Sequence, residues 1–305
     1  MMNLAEYRRA TTQLADFLPW AAMVDEGVVL NKDGSFQRTA KFRGPDLDSA
    51  VPAELVGVAG RLNNAFRRLG SGWAVFVEAQ RHAAGRYPQS QFPDVASALV
   101  DLERREEFEE EGAHYESSYF LTFLYLPPPE DAARAERFLY EGRDRQEGAD
   151  AHEVLRGFID RTDRVLQLVE GFMPEIRWLD DTQTLSYLHS TVSTNRQRVR
   201  VPEIPMYLDA LLADQPMTGG LEPSLGDKHL RILTLVGFPT ATTPGILDEL
   251  NRLAFAYRWS TRAIMLDKTD ATRLLVKIRR QWFAKRKSIA AILKEVMTNE
   301  ASALV

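Results

Sequence analysis

The spacing of apolar and polar residues divides the chain into short strands and amphipathic helices. Val28, Val29 and Leu30 run into Asn31-Lys32-Asp33-Gly34, and Phe36 to Phe42 run back. An Asp-Gly step between two apolar runs predicts a β-hairpin, because glycine adopts the positive φ that such turns need. Pro52 opens a helix in which Leu55, Ala59, Leu62, Phe66 and Leu69 recur on one face, with Gly70 as the expected C-terminal cap. Trp73 to Val77 reads as a buried strand. Asp94 to Glu111 predicts a second helix, with Val95, Leu99 and Leu102 inward, a strongly acidic outer face and Gly112 at its end. Tyr119 to Leu126 is a continuous apolar strand halted by three prolines. Residues 28–126 therefore predict the order β-β-α-β-α-β.

Beyond this unit the pattern loosens. Residues 127–150 are polar, with helix expected near Ala132 to Tyr140. Glu153 to Glu170 is an amphipathic helix using Leu155, Phe158, Leu166 and Val169, stopped by Gly171. Met173 to Leu179 is an expected strand, and Asp180 to Ser193 an expected helix with Asp180 or Asp181 at its start. Arg196 to Gly226, rich in proline, glycine and arginine, reads as a long connection with a short helix at Tyr207 to Ala213.

Leu230 to Val236 reads as a strand, Thr243-Pro244 as a helix start with Ile246, Leu250 and Leu253 inward, and Tyr257 to Leu266 as a further strand. If the two strands are parallel neighbours, this β-α-β unit is right-handed. From Ala271 to Thr298, Leu275, Ile278, Trp282, Ile289, Ile292 and Val296 follow a seven-residue repeat, interrupted by Lys285. Arg273, Lys277, Arg280, Lys287 and Lys294 share the opposite face of the one long helix this predicts. No glycine or proline closes it before Val305, so the helix is expected to run on past a boundary there.

The whole pattern predicts an α/β chain, α+β mixed in detail: two β-α-β-type subdomains with mixed sheets, ending in a long amphipathic helix. The expected divisions are residues 1–126, a hairpin plus β-α-β-α-β subdomain; 127–226, helical and connecting; and 227–305, a β-α-β unit with the terminal helix.

Composition narrows the chemistry. The chain has 305 residues, 45% hydrophobic and 27% charged, which is ordinary for a globular protein. It has no cysteine, which removes disulfides, thiolate metal sites and a cysteine nucleophile. The net charge of −5 offers no global basic field for nucleic acid. The apolar run Phe17 to Val24 is far shorter than the ~18 residues of a spanning helix. It is expected to pack on the first hairpin or to form a partner-binding or membrane-surface patch.

Candidate chemistry is sparse. A phosphate loop needs two glycines flanking four residues, then lysine and a hydroxyl. In Gly220 to Lys228 the glycines flank five residues, Asp227 precedes the lysine and His229 replaces the hydroxyl, so the match is rejected. The loop Gly237 to Thr243 leads into a helix start and is either a capped surface loop or an anion site. The five histidines, His82, His114, His152, His189 and His229, show no helical metal-ligand spacing. No nucleophile elbow or zinc-protease motif occurs.

Several segments together carry a resemblance. They are Leu30-Asn31-Lys32-Asp33-Gly34-Ser35-Phe36, Phe238-Pro239 with Thr243-Pro244-Gly245, Phe255-Ala256-Tyr257-Arg258-Trp259-Ser260-Thr261-Arg262, and Lys277-Ile278-Arg279-Arg280-Gln281-Trp282. In this order, over nearly the whole chain, they resemble the N-terminal region of the TrbE/CagE-type conjugal transfer ATPases of type IV secretion. The resemblance implies a RecA-like motor after this region that uses ATP and magnesium and assembles as a hexamer. It implies a location at the cytoplasmic face of a bacterial inner membrane, peripheral to it, among other secretion components. The motor motifs are missing here, so no catalytic, cofactor or metal residue transfers, and nucleic acid is not an expected partner of this fragment. The implied role is non-catalytic docking and assembly.

The candidate partner contacts are Phe17 and Trp20 in the apolar run, Glu106, Glu109 and Glu110 on the acidic helix, and Arg279, Arg280 and Lys287 on the terminal helix. Each charged face reads equally as a solvated helix face. Two rivals remain. One is a stand-alone enzyme with a site assembled from Asp180, Asp181, His189 and the Thr240 to Thr243 loop. The other is a nucleic-acid-binding module using the terminal basic helix.

Overall fold

The computed structural model describes residues 13–46, 50–85, 87–110, 114–128, 145–204, 206–235, 237, 240–243 and 245–283. A short helix α1 (Leu14–Phe17) leads into β1 (Trp20–Asp25), which pairs antiparallel with β2 (Val28–Asn31). Gly27, at φ +67°, makes the turn between them. β2 returns as β3 (Phe36–Arg43) through the expected turn, where Gly34 has φ +78° and the Asp33 carboxylate accepts from the Ser35 amide at 3.0 Å. Then follow α2 (Pro52–Phe66), β4 (Trp73–Ala83), α3 (Val95–Glu110) and β5 (Tyr115–Tyr125). The order expected for 28–126 holds. The apolar run before it is a strand of the same sheet and no detached patch.

The second half supplies the layers that cover this sheet. It contains α4 (Arg145–Glu170), β6 (Glu175–Trp178), α5 (Asp181–Val192) and α6 (Leu208–Leu212). A small antiparallel sheet of β7 (Met217–Thr218), β8 (Ser224–Leu225) and β9 (Lys228–His229) follows. A 3-10 turn (Asp248–Arg252), β10 (Tyr257–Ile264) and a helix α7 over residues 268–283 end the described chain.

The main sheet runs β1-β2-β3-β5-β4-β10, with β6 sharing the β2 edge of β3. Every described strand pair is antiparallel. The parallel β-α-β unit expected for residues 230–266 does not form. β10 instead pairs with β4 in unbroken register from Tyr257 opposite Arg81 to Ile264 opposite Ala74. Residues 230–235 are irregular, and Ile232, Leu233 and Leu235 are exposed. An apolar run becomes a strand only where a neighbouring edge receives its hydrogen bonds. Likewise Ile246 is exposed and residues 248–252 form only a 3-10 turn, so the expected inner face of a helix is absent there.

Alternation sorts side chains to the two faces of the sheet. One face carries Val28, Leu30, Phe36, Ala40, Trp73, Val75, Leu121 and Phe123, which pack under Leu155, Phe158, Val165, Leu166 and Val169 of α4 and Ala65 and Leu69 of the α2 region. Phe158 stacks on Phe36 and on Trp73, both at 5.6 Å. Asp163 of α4 accepts from Arg38 at 2.7 Å and from the Trp178 indole at 2.8 Å, fixing the helix to β3 and β6. The opposite face packs Val29, Phe120 and Trp20 against Leu185 and Leu188 of α5 and Leu208 and Leu212 of α6. α2 ends at Phe66, and Gly72 (φ +88°), not Gly70, takes the left-handed conformation after it.

Candidate partner interface

α3 stands apart from both cores. Val95, Leu99 and Leu102, expected inward, are 86%, 56% and 46% exposed, and no α3 residue belongs to either core cluster. The reason lies in the layers: α2 and α4 already fill the apolar face of the sheet, so α3 has nothing left to cover. It is held through aromatic and polar contacts near its C-terminal half. Phe108 stacks on His114 at 4.0 Å, and the Tyr87 hydroxyl donates to Asp101 at 2.8 Å. The Asp101 carboxylate that receives this bond, together with burial, pushes the Tyr87 phenol up. Glu106 and Glu109 are exposed on this helix, and the Glu110 side chain lies outside the described residues.

The described part of α7 is bare on all sides. Leu274, Leu275, Val276, Ile278, Trp282 and Phe283 are each at least 40% exposed, beside exposed Arg279 and Arg280. Its N-terminus is fixed: Asp267 accepts from the Asp270 amide at 2.8 Å, and Ser71 bonds to both Asp267 and Asp270. The Asp270 amide, then the Ser71 hydroxyl, hold the Asp267 carboxyl below its usual value. Lys287, and the repeat beyond residue 283, lie outside the described residues.

In the N-terminal run, Phe17 is 68% exposed at the end of α1, whereas Trp20 is 7% exposed in the α5–α6 core. Trp20 is therefore a packing residue and leaves Phe17 as the surface member of that pair. Between β3, β4, β5 and β10, beyond the ends of α2 and α4, lies an apolar groove of about 500 Å³ lined by Phe42, Val77, Tyr119, Met173, Leu247 and Trp259.

The residues of the rival enzyme site are not brought together. Asp180 caps α5, its side chain accepting from the Gln183 amide at 2.8 Å, and Asp181 accepts from the Gly27 amide at 2.7 Å. His189 lies about 12 Å further along the helix, at ~1.5 Å per residue. It is 2% exposed and bonds Asp214 through Nε2 at 3.0 Å. Burial pushes the Asp214 carboxyl up, but hydrogen bonds from His189, Ser193 and Asn195 outweigh it and hold it below its usual value. These contacts join α5 to the chain after α6; they are structural. Among the described residues no three His, Asp or Glu side chains converge as metal ligands, and no helix is long and apolar enough to cross a membrane. The Gly220 to Lys228 segment is the small β7-β8-β9 sheet, with no helix after Lys228 to complete a phosphate loop.

One constellation escaped the pattern. Glu78, 4% exposed in the middle of β4, is held by Arg258 of β10 through Nε at 2.6 Å and through NH2 at 2.6 Å. The Tyr187 hydroxyl donates to it at 3.1 Å and Gln80 Nε2 at 2.6 Å. Burial, then the facing carboxylate, pushes the Tyr187 phenol well up. A carboxylate at an inward position of a strand signals that a cation must meet it, but the cation lies 180 residues away.

Comparison with known proteins completes the picture. A family model for the type IV secretion system ATPase VirB4/TrbE, N-terminal domain, matches residues 27–133, which hold β2 to β5. The chain is 32% identical over 302 residues to a conjugal transfer protein TrbE of Rhizobium radiobacter, covering 93% of this chain and 37% of that relative. Sinorhizobium fredii carries a probable conjugal transfer protein TrbE as two separate pieces. The chain is 37% identical to the first piece over 146 residues, covering 47% of this chain and 98% of that relative. It is 32% identical to the second over 103 residues, covering 34% of this chain and 15% of that relative. The chain thus spans little more than a third of the Rhizobium radiobacter relative's length. With identity of this level running through nearly all of this chain against one TrbE relative and along the whole of another, the chain belongs to the VirB4/TrbE family of type IV secretion, conjugal transfer proteins.

Proposed function

We propose that this chain is the non-catalytic docking and assembly region of a conjugal transfer ATPase. In this reading α3 and α7 are its contact surfaces, and the sheet between them is the rigid body that links a motor to secretion components at the inner membrane. The observation that carries the reading is the pair of amphipathic helices whose apolar and charged residues are both exposed: Val95, Leu99 and Leu102 beside Glu106 and Glu109, and Leu275 and Trp282 beside Arg279 and Arg280. Exposed apolar surface next to charge marks protein-contact sites in soluble domains. The opposite signs of the two faces give each a different partner chemistry. A motor using ATP and magnesium, a hexameric state and a peripheral position at the inner membrane belong to the same proposal for the whole protein.

The test uses the full-length protein in its conjugative host. Glu106→Arg with Glu109→Arg, and separately Arg279→Glu with Arg280→Glu, leave both cores untouched. Each pair is expected to lower transfer frequency by about tenfold or more, the equivalent of ~1.4 kcal/mol of docking energy, with the protein present at parental levels. Parental transfer in both pairs sinks the proposal.

A further inference from the structure

The face of the sheet that carries Glu78 also carries a groove of a different character. It lies where β3, β4 and β6 meet α5 and the segment after it, with a volume of about 430 Å³. That is within the roughly 300–1,000 Å³ of small-molecule sites. Lys41, Arg177, Arg196 and Arg198 all line it, with Gln80 and Ser190, and no Asp or Glu does.

The arrangement of these cations is costly as it stands. Lys41 and Arg177 are directly opposite in the β3–β6 register, and like charges so placed repel. Arg177 touches one carboxylate, Glu175, at a loose 3.9 Å with both groups about half exposed, and otherwise donates to the neutral Gln183 at 2.9 Å. Arg196 donates to the Gln80 side-chain oxygen at 2.8 Å. Burial alone lowers its pKa, with no anion to offset it. Glu78, the nearest buried acid, is already neutralised by Arg258. Gln80 joins the two: one end donates to Glu78, and the other accepts from Arg196, so the guanidinium is held in place by a neutral group. Four cations converge on one groove, two opposed across strands and one fixed by a buried amide, and their charge is unmet.

We infer that this groove binds a phosphate-class anion, with Arg196, Arg198, Lys41 and Arg177 as its ligands. Planar guanidinium groups suit phosphate oxygens because they donate two parallel hydrogen bonds. Hydroxyls such as Ser190 and the amide of Gln80 supply neutral donors at the same wall. The site is independent of the docking helices: it uses neither α3 nor α7.

Two sources offer that chemistry, a soluble phosphate compound and an anionic lipid headgroup, and the experiment separates them. The 305-residue chain is titrated with pyrophosphate by calorimetry at low salt, as parent, Arg196→Gln and Lys41→Gln, each checked by circular dichroism. Saturable 1:1 binding is expected, weakened about tenfold in each variant, as the loss of one charged contact implies, and weakened further by salt. Vesicles of phosphatidylcholine with phosphatidic acid form the second arm. Co-sedimentation that pyrophosphate displaces and Arg196→Gln abolishes assigns a headgroup; pyrophosphate binding without co-sedimentation assigns a soluble phosphate. Absence of saturable binding in both arms overturns the inference. So does binding that folded Arg196→Gln and Lys41→Gln leave unchanged. If Arg196→Gln loses its fold, Lys41→Gln decides alone, because Lys41 makes no ion pair among the described residues.

Discussion

Replacing Arg258 by methionine removes the cation and keeps most of the side chain's apolar stem. Glu78 then remains buried, 5% exposed at its side chain, with only Tyr187 and Gln80 as donors. Leaving one partner of a buried ion pair uncompensated costs about 3–5 kcal/mol. The Arg258 side chain is 36% exposed, so water reaches the vacated position and solvates part of the carboxylate. The lower end applies, about 2–3 kcal/mol. At roughly 2–4 °C per kcal/mol for a domain of this size, melting falls by about 5–10 °C. Glu78→Gln combined with Arg258→Met removes both charges, and is expected to recover at least half of the loss, because the remaining amide is satisfied by the same neighbours. The assay is a thermal and urea melt of the three variants, with hydrogen exchange of β10 as a local readout. β10 is an edge strand, so its amides should lose protection before those of β3 and β5. A single variant melting within about 1 °C of the parent, or a double variant as unstable as the two single losses added together, refutes the argument.

Three further outcomes follow from the packing. Trp20→Asp buries a charge in the α5–α6 core and is expected to cost about 3 kcal/mol or more, whereas Phe17→Asp, on an exposed residue, is expected within ~0.5 kcal/mol of the parent; chemical melts separate the two, and equal losses contradict the burial assigned to them. Gly27→Ala puts a Cβ 2.3 Å from the Leu179 carbonyl oxygen at a φ of +67°, so about 2 kcal/mol or more should be lost in a thermal melt, and an unchanged melt removes that close approach. The Asp214 carboxyl sits below its usual 3.8, so its contribution is present above that pH and is lost as pH falls through the folded value. The urea midpoint of Asp214→Asn should therefore lie below the parent's at neutral pH, with a gap that closes in acid; a gap of constant size down to about pH 2.5 contradicts the sign.

How much of this was readable in the residues divides along a physical line. The β2–β3 hairpin was legible because Asp33-Gly34 is a local instruction, and α4 because four of its apolar residues recur at helical spacing over a long run. Asp180 announced α5 as its cap. Direction and covering were not legible. Periodicity showed that α3 has an apolar stripe, but not that α2 and α4 had already taken the surface it would cover. The run Leu230 to Val236 looked like β10's partner, yet β4 holds that edge with eight register pairs. At the candidate interface, charge patterning located Glu106, Glu109, Arg279 and Arg280 on exposed helix surface, while Trp20 looked like its neighbour Phe17 until the core of α5 and α6 was placed over it. The Glu78–Arg258 pair and the groove around Arg196 depend on contacts across more than a hundred residues, which no window along the chain contains.

The separation of Glu78 from Arg258 also sets a clock. During synthesis at about 5–20 residues per second, Arg258 leaves the ribosome roughly 10–40 s after Glu78, since 180 residues lie between them. The strand β5, and then α4, β6 and α5, all emerge in that interval. A carboxylate without its cation holds water, so the nascent chain cannot dry this region of the sheet when α5 arrives. Closure waits for β10, and a chain that stalls earlier remains hydrated at the centre of its largest sheet, open to chaperones and proteases, and is distinguishable from a finished one.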